Sequence, residues 1–208
     1  MKIQPPNRRL GILLSGRGSN FEAIADRIAS GQLDAEIAIV ISNVETAPGL
    51  ERARERGLPT LCIPSKQRVR EEFDSDVVAA LNEHSVGLVI LAGFMRIFST
   101  VFLDAFPYGI LNIHPALMPA FPGLEVQKKA LEHGVKFSGC TVHLVTSMLD
   151  DGPIIKQAVV PVLDSDTVET LSQRILNEEH RIYSEAIALI LSGKCELIGR
   201  RVFTETRA

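Results

Sequence analysis

Short apolar runs alternate with helical patterns through the first two-thirds of the chain, and this alternation most constrains its fold. Residues 10–14 and 87–92 are continuous apolar runs, which is the pattern of strands covered on both faces. Between such runs, segments such as residues 69–84 place apolar side chains on one face of a helix. Repeated strand–helix alternation implies parallel strands joined by right-handed crossovers. The pattern predicts an α/β fold that is Rossmann-like, with a mostly parallel central sheet and helices on both faces.

The pattern changes after a short apolar run at residues 108–111. Residues 140–145 and 154–162 read as two strands joined by a turn, which predicts an antiparallel C-terminal extension of the sheet. A long helix is predicted for residues 167–191, and residues 198–203 are expected to form a last edge strand. The sequence shows no repeat or interdomain linker, so we expect a single domain spanning the whole chain.

The composition argues against several classes of function. The 208 residues carry a net charge of −3, so there is no basic field to hold a long nucleic acid. The longest apolar stretch, residues 86–95, is too short to span a bilayer. The polar residues 1–9 lack the apolar segment of a signal peptide and are expected to form a flexible tail. The three cysteines are widely spaced and have no metal-binding spacing, so we predict reduced thiols in a cytoplasmic protein and no bound metal. Together with the charge and the short apolar stretches, this predicts no binding to nucleic acid or membrane.

The segment 15–20, Ser-Gly-Arg-Gly-Ser-Asn, lies between the first predicted strand and the first predicted helix. Glycines let a backbone approach an anion closely, and a helix N-terminus adds unpaired N–H groups and a positive dipole. The segment is not a dinucleotide fingerprint, because Phe21 stands where a third glycine is needed. The second strand also ends in Ser42 and Asn43, without an acid for a ribose hydroxyl. Two interpretations remain: a cradle for a single phosphate group, or a tight glycine turn before a capped helix.

Asn112 and His114 follow the apolar run at alternate positions, so both side chains point to the same side of the sheet. Ligands of open α/β sheets bind in the crevice outside the carboxyl ends of the strands. An amide beside a titratable ring there suits the stabilisation of an oxyanion while a proton moves. Asp150, in a later turn followed by Gly152, is a candidate to orient the ring. The alternative interpretation is that Asn112 is a turn residue and His114 a loop histidine.

Two further segments are candidates for binding. Glu179 interrupts the apolar stripe of the long predicted helix, and a buried carboxylate needs a partner or a ligand hydroxyl. It is therefore either a ligand-binding group or half of a structural ion pair with an arginine. The segment 91–97, Leu-Ala-Gly-Phe-Met-Arg-Ile, is either the wall of a pocket for a flat aromatic ligand or a core junction between strand and helix.

Four segments together resemble one known family. They are Ser-Gly-Arg-Gly-Ser-Asn at residues 15–20, Leu-Ala-Gly-Phe-Met-Arg at 91–96, Asn-Ile-His-Pro at 112–115 and Leu-Asp-Asp-Gly-Pro at 149–153. They look like the phosphoribosylglycinamide formyltransferases, the purine-pathway members of the folate-dependent formyltransferases. The resemblance runs over nearly the whole chain. It implies a phosphate-binding half, about residues 10–110, and a folate-binding and catalytic half, about residues 111–203.

The resemblance implies that the amine of glycinamide ribonucleotide takes the formyl group of 10-formyltetrahydrofolate, the co-substrate, without a metal. Asn112 would polarise the formyl oxygen and donate to the oxyanion of the tetrahedral intermediate. His114, as the imidazolium, would stabilise the same charge and take part in proton transfer. Asp150 would keep His114 charged and help carry the proton from the amine to the leaving folate nitrogen. The family pattern also implies a monomer or homodimer.

The remaining contacts implied by the resemblance divide between the two substrates. The substrate phosphate would be bound by Gly18, Ser19 and Asn20, with Arg70 assisting, and the ribose hydroxyls by Glu179. The folate would lie against Met95, Arg96, Ile97 and Phe98 and against the turn that begins at Thr146 and contains Asp150, largely through backbone groups.

Three positions depart from the family pattern. Leu176 stands where relatives commonly carry a glutamine near the substrate, which bears on the ribose or phosphate contacts. Phe98 replaces the usual leucine in the folate pocket, and Thr141 replaces a serine while conserving the hydroxyl. The turn at residues 146–152 is a candidate mobile element, and the sequence leaves open whether it orders when folate binds.

Three other functions are compatible with some of the same residues. A formyltetrahydrofolate hydrolase would use the same three residues on water, but such relatives usually carry an N-terminal regulatory domain, and only nine residues precede the first predicted strand. A methionyl-tRNA formyltransferase would need a further, usually basic, C-terminal domain. A non-catalytic nucleotide-binding module would bind a phosphate ligand without turnover. We therefore expect the transferase.

Overall fold

The computed structural model describes residues 1–107 and 109–204, so Tyr108 of the predicted run 108–111 lies outside the described residues. The helices are α1 (Ser19–Ala29), α2 (Pro48–Glu55), α3 (Arg70–Glu83), α4 (Thr100–Ala105), α5 (Val126–Glu132) and α6 (Val168–Leu191). The strands are β1 (Lys2–Ile3), β2 (Arg9–Leu14), β3 (Glu36–Ser42), β4 (Thr60–Cys62), β5 (Leu88–Leu91), β6 (Ile110–His114), β7 (Phe137–Leu144), β8 (Ile154–Pro161), β9 (Cys195–Ile198) and β10 (Arg201–Thr204).

The strands form one sheet in the order β1-β9-β10-β8-β7-β6-β5-β2-β3-β4. The strands from β6 to β4 in this order are parallel, whereas β7 is antiparallel to β6 and β8 is antiparallel to β7. The α/β fold, with its mostly parallel sheet and antiparallel C-terminal extension, is therefore confirmed.

The C-terminal strand was predicted wrongly in two respects. Residues 198–203 do not form a single strand, because Gly199 adopts a left-handed conformation (φ 60°) and turns the chain between β9 and β10. β10 also lies inside the sheet, between β9 and β8, instead of at its edge. Within residues 1–9, for which we expected a tail, Lys2 and Ile3 form β1 and pair with β9.

Helices cover both faces of the sheet. Leu10, Ile12 and Leu14 of β2 pack in one core with residues of α1, α2, α5 and α6. Leu13 points to the other face and packs with residues of α3 and α4. This alternation follows from the pleat of a strand, and it explains why β2 is apolar at every position after Arg9. No helix within residues 1–107 and 109–204 is long and apolar enough to cross a membrane.

The position of the ligand crevice follows from the strand order. The chain runs outward from β2 through β3 to β4, and then returns to place β5 on the other side of β2. The loops that follow β2 and β5 therefore leave in opposite directions, which opens a crevice at the carboxyl ends of these strands. The Ser15 N–H donates to the Gly93 carbonyl across this point at 3.1 Å.

Helix α6 connects both halves of the sheet. It begins with a capping box in which the Thr167 side chain accepts from the Thr170 N–H and the Thr170 side chain accepts from the Thr167 N–H. Near its C-terminal end, the fully buried Tyr183 hydroxyl lies 2.9 Å from the carbonyl oxygens of both Leu91 and Leu111. This contact fixes α6 against β5 and β6, and in β6 it lies immediately before Asn112.

Candidate active site

Strand register places four polar side chains on one face of the sheet. Asn112 of β6 is opposite His143 of β7, and His114 is opposite Thr141. Because side chains two residues apart share a face, Asn112, His114, Thr141 and His143 all project to the same side. β6 continues as a strand to His114, which excludes the interpretation of Asn112 as a turn residue and of His114 as a loop histidine.

The Asn112 amide is oriented by His143. The His143 Nδ1 lies 3.0 Å from the Leu144 carbonyl oxygen, so this nitrogen carries the proton and Nε2 is left as an acceptor. The Asn112 Nδ2 donates to that Nε2 at 3.1 Å. Burial lowers the pKa of His143 below its ordinary value of 6.5, which favours the neutral ring that this contact requires. The second N–H of the Asn112 amide remains for a ligand.

His114 is held between two oxygen acceptors. Its Nε2 lies 2.8 Å from the Phe121 carbonyl oxygen, and its Nδ1 lies 3.4 Å from the Asp150 Oδ2. An imidazole can donate from both nitrogens only as the imidazolium. The ring and the carboxylate are both shielded from water, since their side chains are 5% and 9% exposed. This geometry suits a positive charge beside Asn112.

Asp150 is aimed at His114 by its backbone. It adopts a left-handed conformation (φ 45°), and its Oδ2 accepts from the Gly123 N–H at 2.9 Å. Aspartate adopts positive φ more readily than most residues, and here this conformation directs the carboxylate at His114. Gly152 keeps the turn close to β7, because a Cβ built there would lie 1.7 Å from the Leu144 carbonyl oxygen. Only glycine fits at this approach.

The turn is also attached to the C-terminal hairpin. The Arg200 guanidinium forms two 3.0 Å hydrogen bonds with the Asp151 carboxylate and donates to the Asp151 carbonyl oxygen. This arginine lowers the pKa of Asp151 below its ordinary value. The pair is largely exposed, with side-chain exposures of 68% for Arg200 and 43% for Asp151. Neither residue of the pair lines the cavity described below.

Asn112, His114 and Asp150 line one cavity of about 590 Å³. The same cavity is lined by every residue expected to contact the folate: Met95, Arg96, Ile97, Phe98, Thr146 and Asp150. Its rim is apolar and exposed at Met95, Ile97, Leu124, Met148 and Leu149. A concave site with an apolar rim and a few converging polar groups is the usual form of a small-molecule site.

The segment 91–97 contributes backbone to this cavity while its arginine side chain turns away. The Arg96 guanidinium donates to the Ser65 carbonyl oxygen at 3.1 Å and lies 4.6 Å from the centre of the Phe73 ring. Phe98 stacks against Phe94 and Phe102, with ring centres 5.4 Å and 3.9 Å away. The segment therefore serves both as a pocket wall and as a core junction.

The loop 15–20 lies at the N-terminus of α1, on the other side of the crevice. Gly18 adopts a left-handed conformation (φ 74°), and a Cβ there would lie 3.0 Å from the Gly49 Cα. The Gly49 N–H donates to the Gly16 carbonyl at 3.0 Å. The first bond of α1 is donated by the Glu22 N–H to the Gly18 carbonyl, so the preceding N–H groups have no helical partner. The loop has the form of an anion cradle.

Asn20 and Glu179 are brought together although 159 residues separate them. The Asn20 Nδ2 donates to the Glu179 Oε2 at 2.7 Å, and both residues are buried. Burial raises the pKa of Glu179 above its ordinary value, and the Asn20 contact opposes part of that effect. The partner of this carboxylate is thus an amide, and the alternative of an arginine ion pair is wrong. The Asn20 Oδ1 is also buried, and no described residue donates to it.

The other sequence candidates occupy less informative positions. Arg70 is exposed at the start of α3, and none of its described contacts joins it to the loop 15–20. Leu176, half-buried in α6, adds no polar group near Glu179. The three cysteines are free thiols, and burial raises the pKa of Cys140 to about 12. Among the residues that the structure describes, no group of three or more His, Cys, Asp or Glu could hold a metal ion.

Sequence reasoning gave no role to His143, which the structure places against Asn112. Alternation within the predicted strand 140–145 puts Thr141 and His143 on one face, and this was the available signal. The pairing of that strand with β6 was not visible in the sequence. The Thr141 hydroxyl donates to the Ala116 carbonyl at 2.7 Å and accepts from the Met118 N–H at 3.0 Å, which secures the proline-containing loop after His114.

Comparisons with known proteins identify the family of this chain. The formyl transferase family matches residues 8–187. The phosphoribosylglycinamide formyltransferase of Escherichia coli (strain K12) is 39% identical over 187 residues, which are 89% of this chain and 88% of that protein. The trifunctional purine biosynthetic protein adenosine-3 of Gallus gallus is 45% identical over 94% of this chain, which spans 20% of the length of that longer relative.

A solved structure supports the same relationship. Glycinamide ribonucleotide transformylase 1 from Symbiobacterium toebii has 52% sequence identity and a TM-score of 0.93, with 95% of this chain and 94% of that chain covered. The fold, the site and these similarities together show that the chain belongs to the formyl transferase family and, within it, to the phosphoribosylglycinamide formyltransferases.

Proposed function

We propose that this chain transfers the formyl group of 10-formyltetrahydrofolate to the amine of glycinamide ribonucleotide, with Asn112, His114 and Asp150 as its catalytic residues. The chain is thus an enzyme of de novo purine biosynthesis. The observation that carries the proposal is the convergence of these three side chains on one cavity of about 590 Å³. Such a volume suits a small organic ligand, and the triad lies at the carboxyl ends of the strands, where ligands of this fold bind.

The reaction exchanges one carbon–nitrogen bond for another. The neutral amine attacks the formyl carbon directly, so no serine or cysteine nucleophile is needed. The carbonyl oxygen becomes an oxyanion in the tetrahedral intermediate. When the intermediate collapses, the bond to the folate nitrogen breaks, and the proton lost by the amine ends on that nitrogen. The protein must therefore stabilise one negative charge and move one proton.

Asn112 supplies the oxyanion donor. One of its N–H bonds is committed to the His143 Nε2, and the second is fixed in direction by that contact. A donor that is oriented before the reaction stabilises developing charge without reorganisation. His143 thus acts as a positioning residue for Asn112.

His114 and Asp150 supply the charge and the proton path. His114, held between the Phe121 carbonyl oxygen and Asp150, acts as the imidazolium and stabilises the oxyanion electrostatically. Asp150 balances that charge and accepts the amine proton directly or through water. The Gly123 N–H keeps the Asp150 carboxylate in place while the proton moves.

The loop 15–20 and Glu179 bind the ribonucleotide. The phosphate accepts from the free N–H groups at the start of α1, including those of Ser19 and Asn20. The Asn20 side chain is directed to Glu179, and the two groups together accept from ribose hydroxyls. This assignment satisfies the buried Asn20 Oδ1, which no described residue contacts. Arg70, at the exposed start of α3, is the proposed source of additional positive charge for the phosphate, although none of its described contacts joins it to the loop 15–20.

The folate lies against the backbone of Met95, Arg96 and Ile97, with Phe98 supporting that segment from the core and the turn from Thr146 to Asp150 closing the pocket. The Arg96 side chain is engaged with Ser65 and Phe73, which supports recognition through backbone groups. We also propose a cytoplasmic location, which the three free thiols support.

Release of tetrahydrofolate from 10-formyltetrahydrofolate, followed with and without glycinamide ribonucleotide, tests the proposal. Release that depends on the ribonucleotide, with formyl recovered on its amine, is the expected result. Release at the same rate without it would identify a hydrolase. Binding of both ligands without release would identify a non-catalytic module.

A further inference from the structure

A series of hydrogen bonds connects the loops that follow four neighbouring parallel strands. The Met95 N–H, after β5, donates to the Ser15 Oγ, after β2, at 2.9 Å. The Ser15 hydroxyl donates to the Asn43 Oδ1, after β3, at 2.6 Å. The Asn43 Nδ2 donates to the Ser65 Oγ, after β4, at 3.0 Å. Every group in the series donates in the same direction, an arrangement in which hydrogen bonds strengthen one another.

The series closes on the segment where it begins. The Arg96 guanidinium donates to the Ser65 carbonyl oxygen at 3.1 Å, so consecutive residues 95 and 96 are tied to the two ends of the series. Asn43 is the central member, because its amide oxygen and amide nitrogen serve the two serines. We call the side chains of Ser15, Asn43 and Ser65 the Asn43 brace.

The Asn43 brace joins two segments that bind different substrates in the proposed function. Ser15 is the residue immediately before the glycines of the phosphate loop, and Met95 and Arg96 line the folate cavity. Asn43 lies outside that lining, and it is half-buried beneath both loops. Side chains in this position cannot touch the reacting atoms, but they set the distance between the two loops.

We infer that Asn43 is a positioning residue that holds the folate-binding segment 95–96 at a fixed distance from the phosphate loop. This inference rests on the proposed function: the fixed distance would place the folate and the ribonucleotide correctly for formyl transfer. Misplacement by about 1 Å can cost on the order of 100-fold in rate. The Met95 side chain is 67% exposed, so the contact of its backbone N–H with Ser15 is an important part of what positions this residue.

The variant Asn43→Ala removes both central hydrogen bonds. Its matched control is Asn7→Ala, because Asn7 also makes two side-chain hydrogen bonds, to the Ser85 carbonyl and from the Arg9 N–H, at the opposite end of β2. Hydrogen exchange of the Met95 amide in the ligand-free protein reports on the brace directly. We expect that exchange to be at least about tenfold faster in Asn43→Ala and unchanged in Asn7→Ala.

Binding and turnover separate positioning from general loss of structure. In Asn43→Ala the dissociation constant of tetrahydrofolate should rise about tenfold, and kcat should fall. The dissociation constant of glycinamide ribonucleotide should stay within about twofold of the wild-type value. If Asn43→Ala does not fold, Ser65→Ala can replace it, because it removes only the hydrogen bond between Asn43 and the Ser65 hydroxyl. It should change Met95 exchange, tetrahydrofolate binding and kcat in the same direction but by smaller amounts.

Unchanged Met95 exchange in Asn43→Ala would overturn the inference, as would equal acceleration in Asn7→Ala. These exchange measurements do not depend on the reaction. If the wild-type chain bound tetrahydrofolate but failed to formylate glycinamide ribonucleotide, the proposed function would fail while the brace could still be confirmed or rejected.

Discussion

The loop 15–20 and the turn 146–152 both contribute to the candidate site, but they are held in different ways. The loop 15–20 is fixed by backbone: Gly18 packs on Gly49, and the Gly49 N–H donates to the Gly16 carbonyl. The strands on which it rests are parallel, and they are buried from Leu10 onward in β2 and from Ile37 onward in β3. An anion cradle made of backbone N–H groups is present before any ligand arrives.

The turn at residues 146–152 joins antiparallel strands, and its residues 146–149 are exposed. Its position depends on contacts with distant segments: the Gly123 N–H and His114 for Asp150, and Arg200 for Asp151. If the proposed function holds, the substrate phosphate would therefore bind to a prebuilt site, whereas the Asp150 carboxylate is placed by a few polar contacts. Changes in the two regions should therefore separate affinity from turnover.

The largest effects should come from the catalytic side chains. We expect Asn112→Ala and Asp150→Ala each to lower kcat by about 10²–10³, because each removes a group that acts on the charge or the proton of the intermediate. The dissociation constant of glycinamide ribonucleotide should change little, since the phosphate loop is separate. Steady-state kinetics and calorimetry measure the two quantities.

Asn177→Ala and Asp104→Ala, which change exposed residues, are the controls and should leave kcat unaltered. A near-normal kcat in both active-site variants would rule out the proposed roles.

A substitution in the phosphate loop should reverse this pattern. Gly18→Ala places a Cβ 3.0 Å from the Gly49 Cα and forces a left-handed alanine, so we expect affinity for the ribonucleotide to fall about tenfold or more. Gly31→Ala is a matched control, because Gly31 has the same conformation (φ 72°) with open space around it. Both variants should lose roughly 1–2 kcal/mol of stability from backbone strain. Equal ribonucleotide affinity in the two would contradict the cradle.

A smaller loss is expected from His143→Leu, which removes the acceptor that orients Asn112. We predict a fall of about tenfold in kcat with unchanged ribonucleotide affinity. His84→Leu, at the far end of α3, is the control. If kcat survived in His143→Leu, the Asn112 amide would not need this contact.

The same variant carries a pH prediction. The pKa of His143 is lowered on folding, so the unfolded chain binds its proton more readily. The stability that neutral His143 contributes is therefore present above its ordinary pKa of 6.5 and is lost as the pH falls below that value. The free energy of unfolding of the wild type should decline more steeply than that of His143→Leu between about pH 6.5 and 5. Chemical denaturation at several pH values measures the difference.

The smallest effect is expected at the outer attachment of the turn. Arg200→Ala removes the exposed pair with Asp151, and such pairs are worth little individually. We expect a decrease in kcat of about two- to threefold and faster hydrogen exchange in residues 146–152. The difference from wild type should shrink at high salt, because salt screens exposed charges. Arg54→Ala, which breaks another exposed pair on α2, should leave exchange in the turn unchanged.

Much of the fold could be read from periodicity, because each element has its own pattern. The continuous apolar runs predicted the buried parallel strands, and the apolar stripe with Thr167 before it predicted α6. The C-terminal hairpin was missed, because its two short, half-exposed strands joined at Gly199 cannot be distinguished by composition from a single strand. The site was predicted where polar residues interrupt apolar patterns, as at Asn112, His114 and Glu179. It was missed where a polar residue looks ordinary, as at Asn43 and His143.

The sequence by itself determined the fold class, the glycine-containing loop before α1 and the chemical groups available for formyl transfer, because these depend on residue type and local spacing. Only the tertiary structure decided which of these side chains form hydrogen bonds with one another. Asn20 meets Glu179 across 159 residues, and Asn112 meets His143 across a strand pairing that local pattern does not specify. Hydrogen bonds between distant residues depend on register and on crossings of the chain, and these emerge only when the whole core packs.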